Sequence, residues 1–332
     1  MRRFLLVVGA LVAAFVAWLV FKSYTMPIFS ENGIAELEAV PINGDRQYIL
    51  VRGEDRAAPI LFFLHGGPGM SAMYLGHAFQ RPLEKDFVVV HWDQRGAGKS
   101  FRPNVDPSSL RTSQLIEDAE QVIAYIQAKL GQKKVFLIGH SHGSFLGVIL
   151  ASRRPDLLEA YIGIGQMADD ATAVQDEFLR GKLSEMDLPA DTQIDGRNRE
   201  NLLFATRSEL LDATSPLPLI VTGSLAAEYS LFDILNVAKG PRLYAKHMKY
   251  DVVGESQINT IAEFQVPVYF VMGRSDMVTP VSQARAYFDM LSAPRKRWYE
   301  FERSAHFPFY EEPERFAEVM REIKSDTLGS RR

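Results

Sequence analysis

Three observations predict an α/β fold: a mostly parallel sheet with helices on both faces and an inserted helical cap. Short unbroken apolar runs recur along the chain between glycines and prolines, as strands buried on both faces require. Stretches with apolar residues at helical spacing separate those runs. From about residue 168 to 262 the alternation stops, and helical patterns rich in Asp and Glu continue without a convincing strand before the sheet resumes.

The elements follow in order. Met1-Arg2-Arg3 precedes an uncharged apolar run over residues 4–21. As a helix this run extends about 27 Å, close to the hydrocarbon thickness of a bilayer. It ends in Trp18-Leu19-Val20-Phe21-Lys22-Ser23-Tyr24, without the small residues that precede a signal cleavage site. Residues 1–27 are therefore expected to be a single-pass anchor and linker. Arg2, Arg3 and the amino terminus outweigh Lys22, which places the following domain outside the cytoplasm. Residues 35–40 and 47–51 read as strands joined at Asn43-Gly44, a hairpin turn pair. Runs at 60–64, 87–90, 135–138, 161–164, 266–272 and 297–301 supply the rest of the sheet. Helices are expected over 113–130, with Ile116, Ala119, Val122, Ile123, Ile126 and Leu130 on one face, and over 144–152, 281–291 and 313–323. The domain core is thus 28–167 with 263–332, the cap is 168–262, and the tail 325–332 is expected to be disordered.

Composition narrows the chemistry. The 332 residues are 47% hydrophobic, enough for a large core. A net charge of -4 offers no field for phosphates, so nucleic acid is not an expected partner. The absence of cysteine excludes a thiolate nucleophile, a disulfide framework and a cysteine-ligated metal.

Gly139-His140-Ser141-His142-Gly143 fits GxSxG between a buried strand and a helix. A tight strand-to-helix turn of this kind lifts a serine hydroxyl above the sheet, where a base can reach it. Ser141 then needs a histidine as proton acceptor and a carboxylate to orient it. Of the seven histidines, His65 ends a strand, His77 lies in a helix, His91 continues a strand, His140 and His142 flank the serine, and His247 lies in the cap. His306 alone occupies a loop after the last strand. Asp276, in the loop after the preceding strand, is the orienting acid, with Asp169 or Asp170 as the substitute position. Glycines in His65-Gly66-Gly67-Pro68-Gly69 free backbone N–H groups for a developing oxyanion, and the donors are assigned as Gly67 and His142. A phosphate-binding reading of that loop fails for want of GxGxxG or P-loop lysine spacing.

HGGPG at 65–69, DQRGAGKS at 93–100, GHSHGS at 139–144, GRSDMVTP at 273–280 and SAHFPFYEEPERF at 304–316 form a specific set. The chain resembles the proline iminopeptidase-like branch of the α/β-hydrolases over 34–323, apart from the cap. The order Ser141, Asp276, His306 agrees with that fold. The resemblance implies an α/β-hydrolase fold and acyl-enzyme chemistry with no cofactor and no metal. It also implies that Asp93 ties down the loop after its strand and is not catalytic. Two features depart from the pattern: His142 stands where those peptidases carry an aromatic residue, and the cap has no tryptophan. Asp176, Glu177, Glu228 and Asp233 are the acidic cap residues weighed for binding a substrate amine, and they read as a solvated face.

The expected function is a membrane-anchored serine hydrolase acting on a small ester, amide or short peptide, with esters preferred because no amine-binding signature is visible. The alternatives are a proline iminopeptidase and, from another class, a catalytically silent hydrolase-fold binding protein.

Overall fold

Asn43 and Gly44 both take positive φ, 42° and 77°, the turn whose twist matches two antiparallel strands. They join β1 (Ile34–Ile42) to β2 (Asp45–Gly53), paired from Ile42 opposite Asp45 to Ile34 opposite Gly53. The computed structural model describes residues 2–196 and 198–329, and it places this hairpin at the edge of an eight-stranded sheet. The other strands are β3 (Ile60–Leu64), β4 (Val88–Asp93), β5 (Val135–His140), β6 (Leu158–Ile164), β7 (Val268–Gly273) and β8 (Lys296–Phe301). Their order is β1-β2-β4-β3-β5-β6-β7-β8. β2 meets β4 antiparallel, and every later pairing is parallel.

Helices α1 (Arg2–Phe21), α2 (Gly76–Phe79), α3 (Thr112–Leu130) and α4 (His142–Arg153) precede β6. Between β6 and β7 lie α5 (Thr172–Lys182), α6 (Arg199–Ala205), α7 (Leu217–Leu225) and α8 (Leu231–His247), the inserted helical cap. After β7 come α9 (Val281–Met290), α10 (Pro308–Glu311) and α11 (Pro313–Gly329). Covering both sheet faces is what lets the strands be continuously apolar. Ile60, Phe62 and Leu64 of β3 enter one core with Ile116, Val122 and Ile126 of α3. Leu61 and Phe63 point the other way, into a second core with Phe79 and Phe316.

Two sequence expectations need correction. β7 begins at Val268 and not at 266, because Pro267 has no N–H for the ladder and contributes only its carbonyl, which accepts from Tyr161 N at 2.9 Å. The segment 325–329 is not disordered. It continues α11, held where Tyr269 Oη donates to Asp326 at 2.8 Å and Arg295 pairs with Asp326 at 2.6 Å; residues 330–332 lie outside the described residues. The linker after α1 is tied to the cap and to β2. Lys22 Nζ donates to Ser224 O at 2.5 Å, Tyr24 N to Ala227 O at 3.1 Å, and Arg52 Nη1 to Thr25 Oγ1 at 2.6 Å. α1 itself, over Phe4–Phe21, has a mean hydropathy of 2.8 and no part buried inside the protein. By length and composition it can cross a membrane.

Candidate active site

Ser141 sits between β5 and α4 with φ 52° and ψ -125°, a conformation that costs a non-glycine residue about 1–3 kcal/mol and persists only where its surroundings fix it. Here Ser141 N donates to Ile164 O at 3.0 Å, while α4 presses directly on the strand beside it. A Cβ on Gly143 would fall 2.1 Å from Leu64 O, so the turn closes only with glycine at that position.

His306 follows β8 and α10 follows His306, as the chain order requires. Its Nδ1 lies 2.8 Å from Asp276 Oδ2. Asp276 is fully buried, and its Oδ1 accepts from Val278 N and Thr279 N at 2.9 Å each, while Oδ2 accepts from Thr279 Oγ1 at 2.8 Å. A carboxylate so surrounded offers only lone pairs, so the shared proton belongs on Nδ1 and the lone pair is left on Nε2. His306 N donates to Glu209 O at 3.0 Å, and His140 Nε2 meets His306 O at 2.9 Å. Gly165, just past β6, has φ 49°, and a Cβ there would fall 2.9 Å from His306 Nδ1 and 3.2 Å from Asp276 Oδ2. It leaves the room in which the imidazole and carboxylate meet. Sequence reasoning overlooks it, because a glycine after a strand carries no motif.

Asp169 and Asp170 are exposed, and Asp170 Oδ1 accepts from Thr172 N at 2.8 Å at the start of α5. Asp276, not either of these, is bonded to His306. Asp93 stands apart from the serine. Buried completely, it accepts from Ser71 and Tyr229 hydroxyls and from Lys99 N at 2.6 Å. Burial pushes its carboxyl up to about 6. It ties the loop after β4 to itself and, through Tyr229, to the cap.

Ser141 and His306 line one cavity of about 350 Å³ with Gly66 and Gly67. The glycine loop is held by His65, whose Nε2 accepts from Gln94 N at 3.1 Å while its carbonyl accepts from Gln94 Nε2 at 3.1 Å. Burial depresses His65 to about 4, keeping it neutral for this role. Gly67 belongs to that loop, and His142 opens α4, where first-turn N–H groups have no partner within the helix. The His142 side chain leaves the cavity and lies 5.5 Å from the Phe145 ring and 6.0 Å from that of Tyr250. Neither ring nitrogen has a hydrogen-bond partner among the described residues, and burial lowers its pKa to about 3. It therefore packs as an aromatic residue does.

The four acidic cap candidates are elsewhere. Asp176 pairs with Arg199 at 2.6 Å, Asp233 with Lys99 at 2.7 Å, Glu228 accepts from Thr25 at 2.8 Å, and Glu177 is exposed. Glu200 and Glu209 line the cavity instead. Glu209 is buried with Oε2 unpartnered among the described residues. Burial above all, then the nearby charges of Glu200 and Asp276, hold its carboxyl well above the usual range.

A family model described as the alpha/beta hydrolase fold matches residues 59–313. The chain belongs to this family. It is 31% identical over 310 residues to the Bacillus subtilis (strain 168) protein named "Probable aminopeptidase YbaC", covering 87% of this chain and 96% of that one. A proline iminopeptidase of Heyndrickxia coagulans is 26% identical, with 85% and 96% covered. Among solved structures, that of VinJ matches with a TM-score of 0.66 at 23% identity over 88% of this chain and 99% of the other, a likeness of fold. The chain is a hydrolase-family enzyme related at low identity to the proline iminopeptidases.

Proposed function

We propose that this chain is a membrane-tethered serine aminopeptidase that releases an N-terminal residue, proline foremost, from a small peptide or amide. The observation that carries the reading is Glu209, a buried carboxyl with an unpartnered oxygen in the wall of the cavity that also holds Ser141, with Glu200 beside it. A buried acid with an exposed one beside it in a partly apolar cavity suits a substrate ammonium, since an unpaired buried carboxyl gains most from an opposite charge. The relatives named aminopeptidase and proline iminopeptidase support the same reading.

In this mechanism Ser141 Oγ attacks the scissile carbonyl while His306 Nε2 takes its proton. Asp276 holds the imidazole tautomer and stabilises the imidazolium that forms. Gly67 N–H and His142 N–H donate to the oxyanion. His306 then returns the proton to the leaving amine, and water, activated by the same base, releases the acyl group. α1 serves as a single-pass anchor, its eighteen apolar residues Phe4–Phe21 lying outside the protein core.

A second reading, an ester hydrolase, is favoured by the apolar wall formed by Met70, Leu75, Leu203 and Phe309. The requirement for a free amine separates the two. Prolyl aryl amide should be cleaved at least 100-fold faster than its N-acetylated form, and Glu209→Gln should raise KM for the free amine while leaving aryl ester turnover within a few fold. Equal cleavage of the blocked substrate would favour the esterase. Fluorophosphonate labelling that survives Ser141→Ala would remove the serine mechanism from both.

A further inference from the structure

We propose that α7 and the first half of α8 form a second membrane contact, a face that seats the cap on the leaflet from which α1 emerges. The proposal rests on the reading of α1 as an anchor.

α7 contains no charged residue in LPLIVTGSL. Leu219 and Gly223 turn inward, while Leu217, Ile220, Val221 and Leu225 are 60%, 48%, 51% and 54% exposed. These four lie at helical spacing and make one apolar stripe, which is costly to leave in water. α8 continues the pattern. Phe232 and Leu235 are exposed at its start, and farther along the same stripe come Lys239, Arg242 and Lys246, also exposed. An apolar end followed by a basic end on one stripe suits a helix tilted at the headgroup region, with its first turns at the acyl boundary and its later cations on lipid phosphates.

The choice of a bilayer as the occupant comes from where the chain leaves α1. Lys22 Nζ donates to Ser224 O at 2.5 Å, one residue before Leu225, and Tyr24 N donates to Ala227 O at 3.1 Å. Trp18 and Leu225 line the same hollow. The last turn of the anchor is therefore strapped to the end of the apolar stripe, and a lipid surface that receives α1 meets α7 as well. Trp18 Nε1 donates to Tyr24 Oη at 3.1 Å, a pair of amphipathic rings suited to the same depth. On its inner side α7 packs Leu219 into the core that contains Tyr74, a wall of the catalytic cavity. The lipid-facing helix is thus one side-chain layer from the site.

The chain has no cysteine, so single spin labels can be placed in the full-length protein at Val221→Cys and Phe232→Cys. Lys133→Cys, exposed before β5 at the opposite end of the sheet from Ser141, serves as the control. Fluorophosphonate labelling verifies that each variant is folded. In vesicles of phosphatidylcholine and phosphatidylglycerol, labels at 221 and 232 should be several-fold more accessible to oxygen than to a water-soluble nickel chelate, with the reverse at 133. Nickel access at 221 and 232 equal to that at 133, in protein that resists carbonate extraction, overturns the docking face and leaves the anchor standing. Release of the protein by carbonate overturns the anchor and the face with it. Dipolar broadening between labels on two chains would give the stripe to a second copy and overturn the proposal.

Discussion

Asp276 illustrates how one side chain is fixed by the donors around it. Three donors from its own loop and the Nδ1–H of His306 surround it. Asp276→Asn keeps the oxygen that receives the backbone N–H groups, so the fold should persist. The amide NH2 then faces Nδ1 and forces the proton to Nε2, the wrong nitrogen to accept from Ser141. Turnover should fall on the order of 10³- to 10⁴-fold with an unchanged circular dichroism spectrum. Near wild-type turnover would return Asp169 and Asp170 to consideration. Ser141 is held with equal economy, since its left-handed φ follows from the close approach of Gly143 to β3.

At the scale of elements, the cap depends on how α8 begins. Ser230 Oγ accepts from Asp233 N, and Asp233 accepts in turn from Ser230 N at 2.9 Å. This satisfies two of the donors that a helix start leaves without partners. Asp233 also receives Lys99 from the loop that Asp93 organises, so one turn of helix joins cap to core. Ser230→Ala should cost about 1 kcal/mol and lower Tm by about 2 °C in a chain of this size, measured by calorimetry. Turnover should be almost unchanged, because Ser230 does not line the cavity.

Across the whole molecule, buried histidines set the response to acid. Burial holds His65 at about 4, His91 and His142 at about 3, and His140 well below the ordinary range. In the unfolded chain each titrates near about 6.5. Depressed folded values mean that this stability is fully present above the unfolded value and is lost as pH falls from there toward the folded values. Asp93, raised to about 6, and Glu209, held well above the usual range, act with the opposite sign between their unfolded values near about 4 and their folded ones, offsetting about two of the four. The urea midpoint should therefore fall steadily as pH is lowered from 7 to 4.5. His142→Phe, with its aromatic packing on Phe145 and its backbone N–H retained, should remove about 1.4 kcal/mol per pH unit from that slope in the region below the unfolded histidine value. An unchanged slope would show that His142 titrates freely.

Orientation belongs to the same scale. We propose that the catalytic domain lies outside the cytoplasm, because Arg2 and Arg3 outweigh Lys22. Protease added to spheroplasts should digest the domain. Protection until lysis would reverse the orientation.

The sequence by itself determined the alternation of strands and helices, the hairpin at Asn43-Gly44, and the roles expected of Ser141, Asp276 and His306. Each of these is carried by neighbours in the chain: turn sterics, the period of apolar residues, or a loop directly after a strand. Only the tertiary structure decided which cap residues face the cavity of Ser141. Glu209 and Glu200 are ordinary surface-type residues in sequence, and they come to line one cavity with Ser141 only because the cap folds over it. Gly165 matters only because His306 and Asp276 arrive against it from distant segments. The same holds for residues 22–26, polar and short enough to read as a linker, whose hydrogen bonds to Ser224, Ala227 and Arg52 exist only once the cap and β2 have been brought to the end of α1. Local rules fix an element from its own residues, whereas a contact between remote segments depends on the packing of every element between them.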